Sequence, residues 1–166
     1  MERDNKEHVV DLSKLKPSDW LIGGGTIVFL IALFLPWYQV KGFTAASAKG
    51  TDYFLMGILP FLLCVGVFVF LVLPKLVDGI NLPSEIGPMP RAQAALIAAG
   101  IGAALVLLRL LIKDDGGIPG ASDFIERGIG LFLAFLASAA VAAGAFMKFQ
   151  AKEDDGAAPS VPPTPF

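Results

Sequence analysis

Residues 20–38 read Trp-Leu-Ile-Gly-Gly-Gly-Thr-Ile-Val-Phe-Leu-Ile-Ala-Leu-Phe-Leu-Pro-Trp-Tyr and carry no charge. On a helix rising 1.5 Å per residue, Trp20 and Trp37 would stand roughly 26 Å apart, close to the ~30 Å hydrocarbon thickness of a bilayer. Indole rings favour the headgroup level, so a tryptophan near each end is the pattern of a spanning helix. The run therefore predicts a transmembrane helix over 20–38. Trp20, Trp37 and Tyr38 are its expected interface anchors, and Tyr53 would serve the next run in the same way.

Composition agrees with a membrane protein. Of the 166 residues, 55% are hydrophobic and 17% charged, and the mean hydropathy is +0.68. A soluble domain carries about 25% charged residues. The net charge of −2 gives no reason to expect nucleic acid as a partner. Cys64 is the single cysteine, so no intramolecular disulfide can form. A cleaved signal peptide is the rival reading of the first 48 residues, with Ala46-Ser47-Ala48 as the cleavage site. The apolar run is longer than the 7–15 residues of an ordinary signal core, and the site lies far beyond its end.

Three further apolar runs follow. The second covers 53–73, with Thr51 and Asp52 as capping candidates, Pro60 inside and Pro74 at its end. An interior proline removes one backbone hydrogen bond and predicts a packing kink. The third covers 92–112 behind Pro90. The fourth covers 124–149 and opens with Asp123 and Glu126 in capping-box spacing. Residues 1–19 form a polar N-terminal segment, in which Pro17 precedes Ser18 as the expected cap of the first helix. Residues 156–166 form a proline-rich tail. The expected fold is an all-α membrane protein: a four-transmembrane-helix bundle over 20–155 with short loops and both termini cytoplasmic.

Orientation follows from the basic residues. With the N-terminus inside, the inner flanks hold eight Lys and Arg (Arg3, Lys6, Lys14, Lys16, Lys75, Arg91, Lys148, Lys152) and the outer flanks four (Lys41, Lys49, Lys113, Arg127). The positive-inside rule then places both ends in the cytoplasm. Helix packing in lipid relies on close backbone approach at small residues. Ala95, Ala99 and Ala103 share one face of the third run at i+4 spacing, and Ala140 and Gly144 do so on the fourth. These faces predict that the third and fourth helices pack tightly, with the bulkier first two more open to lipid.

The chemistry is defined mainly by what is missing. No Asp, Glu, His or Lys falls near the centre of any run, and such groups are what mark proton relays and ion paths in membranes. Arg109 lies three residues before the end of the third run. Its long stem can carry the guanidinium to the interface, where Asp114 and Asp115 are candidate carboxylate neighbours for a lipid or partner contact. The Asp-Asp-Gly-Gly sequence lacks the ligand spacing of a calcium loop, and no metal or cofactor motif appears elsewhere. His8 has no neighbour in suitable spacing to activate a nucleophile, so an enzyme is not expected.

Phe34-Leu35-Pro36-Trp37-Tyr38 with Lys41-Gly42-Phe43, Pro90-Arg91-Ala92-Gln93-Ala94-Ala95-Leu96 and Phe149-Gln150-Ala151-Lys152-Glu153 together resemble small four-helix membrane proteins of bacteria, actinobacteria in particular. The resemblance implies a multi-pass protein of the cell membrane and carries no activity with it. The expected function is that of a non-enzymatic accessory or assembly component of the cell envelope. It would act through contacts with the lipid bilayer and with other membrane proteins or itself. A homo-oligomeric channel or small transporter hinged at Pro60 is the alternative, and a lipid-binding protein using Arg109 the third reading.

Overall fold

A proline decides where the first helix stops. Helix α1 runs from Pro17 to Phe34, and Leu35 already has extended backbone, at φ −80° and ψ 156°. Proline lacks an N–H and crowds the residue before it out of the helical region. The expected span over 20–38 is therefore corrected. It begins three residues earlier and ends at Phe34, and Trp37 and Tyr38 sit on strand β1, Pro36–Val40. The helical spacing between Trp20 and Trp37 does not exist. In the computed structural model, residues 15–77, 85–86, 88–112 and 120–155 are described.

After β1 the chain turns at Lys41 and at Gly42, whose φ of +80° suits glycine. It returns as β2, Phe43–Lys49, and makes a single tight turn over Gly50–Asp52. A wide turn over Phe54–Ile58, with i→i+5 hydrogen bonds, leads into α2, Leu59–Leu71. Pro60 thus stands in the first turn of α2 and within the continuous helical stretch Phe54–Leu71, as the sequence placed it. The helix widens to i→i+5 hydrogen bonds just before the proline, which is where its ring and missing N–H disturb the ladder. A short helix α3, Leu73–Leu76, follows. Strands β3 (Glu85–Ile86) and β4 (Met89–Pro90) pair with each other. Helix α4 spans Arg91–Leu111, β5 Ile125–Arg127 and α5 Ile129–Asp155.

Strands β2, β1 and β5 form an antiparallel three-stranded sheet in that order. The fold is mostly helical but not all-α, and the connection between the first two spans is a strand hairpin instead of a short loop. The capping box expected at Asp123 and Glu126 also gives way, because 125–127 pair with β1 and α5 starts only at Ile129. At the other end, Pro17 occupies the first helical position, so the cap of α1 moves from Ser18 to Lys16. The Lys16 N–H donates to Asp19 Oδ2 at 2.9 Å.

Four helical stretches are long and apolar enough to cross a membrane: Pro17–Phe34, Phe54–Leu71, Arg91–Leu111 and Ile129–Ala151. They are buried within the protein to 44, 28, 22 and 44% respectively, so α1 and α5 form the centre while α2 and α4 lie outside it. This corrects the expected packing. Helices α4 and α5 do meet, but the most extensive contact is between α1 and α5. The reason is glycine placement. A Cβ on Gly25 would lie 2.8 Å from Val141 Cγ2 and 2.9 Å from the Ala137 carbonyl oxygen. One on Gly144 would lie 2.7 Å from Ile22 and 2.8 Å from the Ser18 carbonyl oxygen, so Gly144 serves α1 rather than α4. Ala95 and Ala99 are buried, whereas Ala103 and Ala140 are only partly covered.

Three charges join the helices at the Pro17 end. The Asp19 side chain has no exposed surface, and it pairs with Lys75 at 2.9 Å and with Lys148. Lys148 Nζ also donates to the Leu71 carbonyl at 3.3 Å. One carboxylate thereby ties α1 to the end of α2, to α3 and to α5, and α1 and α5 run antiparallel with their chain-terminal ends together.

Two substitutions test this packing by thermal unfolding in detergent, followed by circular dichroism. Gly24 has nothing near its Cβ direction, so Gly24→Ala should gain up to ~1 kcal/mol from helix propensity alone. Gly25→Ala should lose about 1–3 kcal/mol, because the Ala137 backbone cannot retreat as a side chain can. Asp19→Asn should cost about 3–5 kcal/mol by leaving two ammonium groups without their counter-charge. Replacing Asp19 by Leu together with both lysines by Met should recover most of that loss.

Candidate functional site at the sheet end of the bundle

The Trp37 indole is fully buried. A Cβ on Gly50 would lie 2.6 Å from the ring and one on Gly130 2.8 Å, so the indole occupies a slot that only two glycines leave open. Its Nε1–H donates to the Ala32 carbonyl at 2.8 Å, and the Gly128 N–H donates to the Trp37 carbonyl at 2.7 Å. One side chain thus joins the last turn of α1, the start of α5 and the turn before α2.

Tyr53 stacks on Trp37, with ring centroids 6.3 Å apart, and meets Tyr38 edge-on at 5.9 Å. The Arg109 guanidinium lies 4.1 Å from the Tyr53 ring centre and 4.8 Å from that of Tyr38. Aromatic faces carry negative charge density and attract a cation at such distances. The Tyr38 hydroxyl donates to the Arg109 carbonyl at 2.9 Å. The cation at the end of α4 is therefore enclosed by two tyrosines of the cap.

These positions revise the expected roles. Trp37 and Tyr38 are buried in protein contacts instead of facing headgroups, and Tyr53 is half-buried between them and Arg109. Trp20, by contrast, is 58% exposed on α1. Asp114 and Asp115 lie outside the described residues, as do most of 1–19, the centre of the loop between 75 and 91, and the proline-rich tail. Asp19 was not legible as a buried anchor. Its signal was a carboxylate three residues after Lys16, in the first turn of a helix.

Beside Tyr38 an open cleft of about 480 Å³ is lined by Lys41, Ser122, Asp123, Glu126 and Arg127, with Phe132 at its base. Lys41 and Glu126 approach to 3.9 Å with most of each side chain exposed, a geometry that adds little stability and leaves both charges open to solvent. Arg127 Nη2 donates to the Leu111 carbonyl at 3.4 Å. The cleft offers cations, carboxylates and the hydroxyl-bearing side chains of Tyr38 and Ser122, which suits recognition of polar and charged groups. Among the described residues no group of three His, Cys, Asp or Glu is placed to hold a metal. Among the described residues strand β2 forms one edge of the sheet, with β1 beside it. An edge strand offers backbone groups to a further strand.

No family model matches the chain, and no curated protein or solved structure matches it either.

The aromatic enclosure is testable by a double-mutant cycle on thermal stability. Tyr53→Leu and Arg109→Gln should each destabilise, with a coupling of about 0.5–2 kcal/mol from the cation–ring contact. Tyr38→Phe removes only the hydroxyl and should cost about 0.5–1.5 kcal/mol.

Proposed function

We propose that the chain is a non-enzymatic multi-pass protein of the bacterial cell membrane, an accessory or assembly component of the envelope that works through contacts made by its sheet end. The observation that supports this most is the rigid attachment of the sheet: Trp37 is slotted between Gly50 and Gly130, and Tyr38 and Tyr53 enclose Arg109. A bundle that only had to fill lipid would not need a cap fastened at so many points. So fixed, the cap holds an edge strand and a cleft of mixed charge at a set height above the helices. Recognition surfaces gain when they are preorganised, because less ordering is left to binding.

The helices carry a belt of outward apolar side chains, Ile27, Ile31, Leu62, Ile101 and Leu136 among them. A patch of this extent favours lipid or another helix over water. The eight-to-four balance of basic residues supports cytoplasmic termini, which puts the sheet and its cleft on the outer face. The resemblance to four-helix actinobacterial membrane proteins supports the bacterial assignment.

Labelling of intact cells with a membrane-impermeant maleimide tests the orientation. Ser47→Cys, on exposed β2, should react from outside, and Gln150→Cys only after permeabilisation; the opposite pattern would reverse the topology. The contact role is tested by purifying the full chain in mild detergent. A defined envelope protein should co-purify and be lost from Lys41→Glu and Glu126→Lys variants that still fold. A pure homo-oligomer that conducts ions in liposomes would sink the reading in favour of a channel.

A further inference from the structure

Helices α2 and α4 touch closely at one end of their crossing and part at the other. A Cβ on Gly102 would lie 3.5 Å from the Pro60 carbonyl oxygen and 3.7 Å from Leu63, ordinary contact distances. Toward the opposite end, Gly66 has nothing within 4 Å of its Cβ direction. The space left is a groove of about 260 Å³ lined by Leu62, Gly66 and Phe70 of α2 and by Ala94, Ala95 and Ala98 of α4. It opens on the two helices least buried by the rest of the protein.

The dimensions select an occupant. Leu62 to Phe70 covers about 12 Å along a helix, and every lining side chain is apolar. A groove of this size takes a slender apolar chain but cannot take in a helix, which is about 10–12 Å across. Arg91 begins α4, and positions 91, 94, 95 and 98 follow the spacing that places residues on one helical face. The Arg91 side chain, one turn before the lining, is partly exposed. It makes no ion pair with another described residue. A narrow apolar groove, with a cation one turn before its lining on the same helical face, matches a phospholipid that carries negative charge.

We propose that the α2–α4 groove binds one acyl chain of an anionic phospholipid from the surrounding bilayer, with its phosphate at Arg91. The proposal rests on the bilayer insertion inferred above, and the two fail in different measurements. Retention of the chain in membranes after carbonate washing reports insertion alone.

The site is tested by native mass spectrometry of the full chain in detergent, titrated with dioleoyl phosphatidylglycerol, dioleoyl phosphatidylcholine or inorganic phosphate. The wild type should retain one phosphatidylglycerol in preference to phosphatidylcholine. Gly66→Leu fills the groove without meeting neighbouring atoms at Cβ and should weaken that binding at least tenfold. Arg91→Gln should weaken it about fivefold, the weight of one basic residue near an anionic surface, and should erase the preference over phosphatidylcholine. Gly24→Leu, on open α1 surface, should leave it unchanged. Equal binding by wild type, Gly66→Leu and Arg91→Gln would overturn the proposal. So would displacement of the lipid by millimolar phosphate alone, or a Gly66→Leu variant whose only change is loss of a homodimer, since the groove would then hold a second copy of the chain.

Discussion

A charge removed from water must find its counter-charge inside the protein, and this constraint organises both ends of the bundle. At one end Asp19 has no exposed surface and is balanced by Lys75 and Lys148. Desolvation makes any such cluster costly, and the cost is recovered only when every member is in place. The cluster therefore acts as a register mark. Helix α1 can slide along α5 only by taking Asp19 away from Lys148, and α3 must fold back to deliver Lys75. At the other end a cation meets aromatic faces: Arg109 lies against Tyr38 and Tyr53, and the tyrosines belong to the sheet and the turn before α2. The apolar middle of the bundle is left free of charge because its ends hold all that is needed.

Between these ends, fit is set by side chains that are absent. Gly25 and Gly144 let α1 and α5 approach to backbone contact, and Gly50 and Gly130 leave the slot for Trp37. In lipid, hydrophobic exclusion does not bring helices together, so close approach and complementary shape must do so. The helices without such contacts, α2 and α4 near Gly66, retain a gap. Tight and loose crossings thus come from the same residue type. Glycine opposite a bulky neighbour closes an interface, and glycine opposite alanine opens one.

Four helices long and apolar enough to cross a membrane were legible because hydropathy sums over twenty residues and needs no knowledge of neighbours. Their ends were less so. Pro36 carried the information that α1 stops at Phe34, but the tryptophan spacing argued for continuing through it, and the proline rule is the stronger because it is steric. The sheet was hidden for a different reason. Strand β5 is three residues long and pairs with β1 from more than eighty residues away, so no local pattern announces it. The helix partners were equally non-local. Small residues on the third and fourth runs were visible, yet a list of alanines does not say which helix each one faces, and Gly144 proved to face the first. Arg109 stood out in the sequence as a charge inside an apolar run, but the neighbours that enclose it come from two distant segments.

Burial also separates structural charge from charge available for recognition. Asp19, Lys148 and Arg109 are engaged by the fold, so removing any of them tests stability before it tests function. Lys41 and Glu126 keep most of their surface exposed at the cleft, and Arg91 stands one turn before the α2–α4 groove on the same face of α4. A contact function must use groups whose loss leaves the scaffold standing. By that criterion the sheet-end cleft and the α2–α4 groove are two of the described surfaces open to a partner. They differ in lining: the cleft is polar and borders the sheet, whereas the groove is apolar. A protein at the cleft and a lipid in the groove would therefore occupy the molecule together without competing, since the two sites share no lining residue and stand at opposite ends of α4.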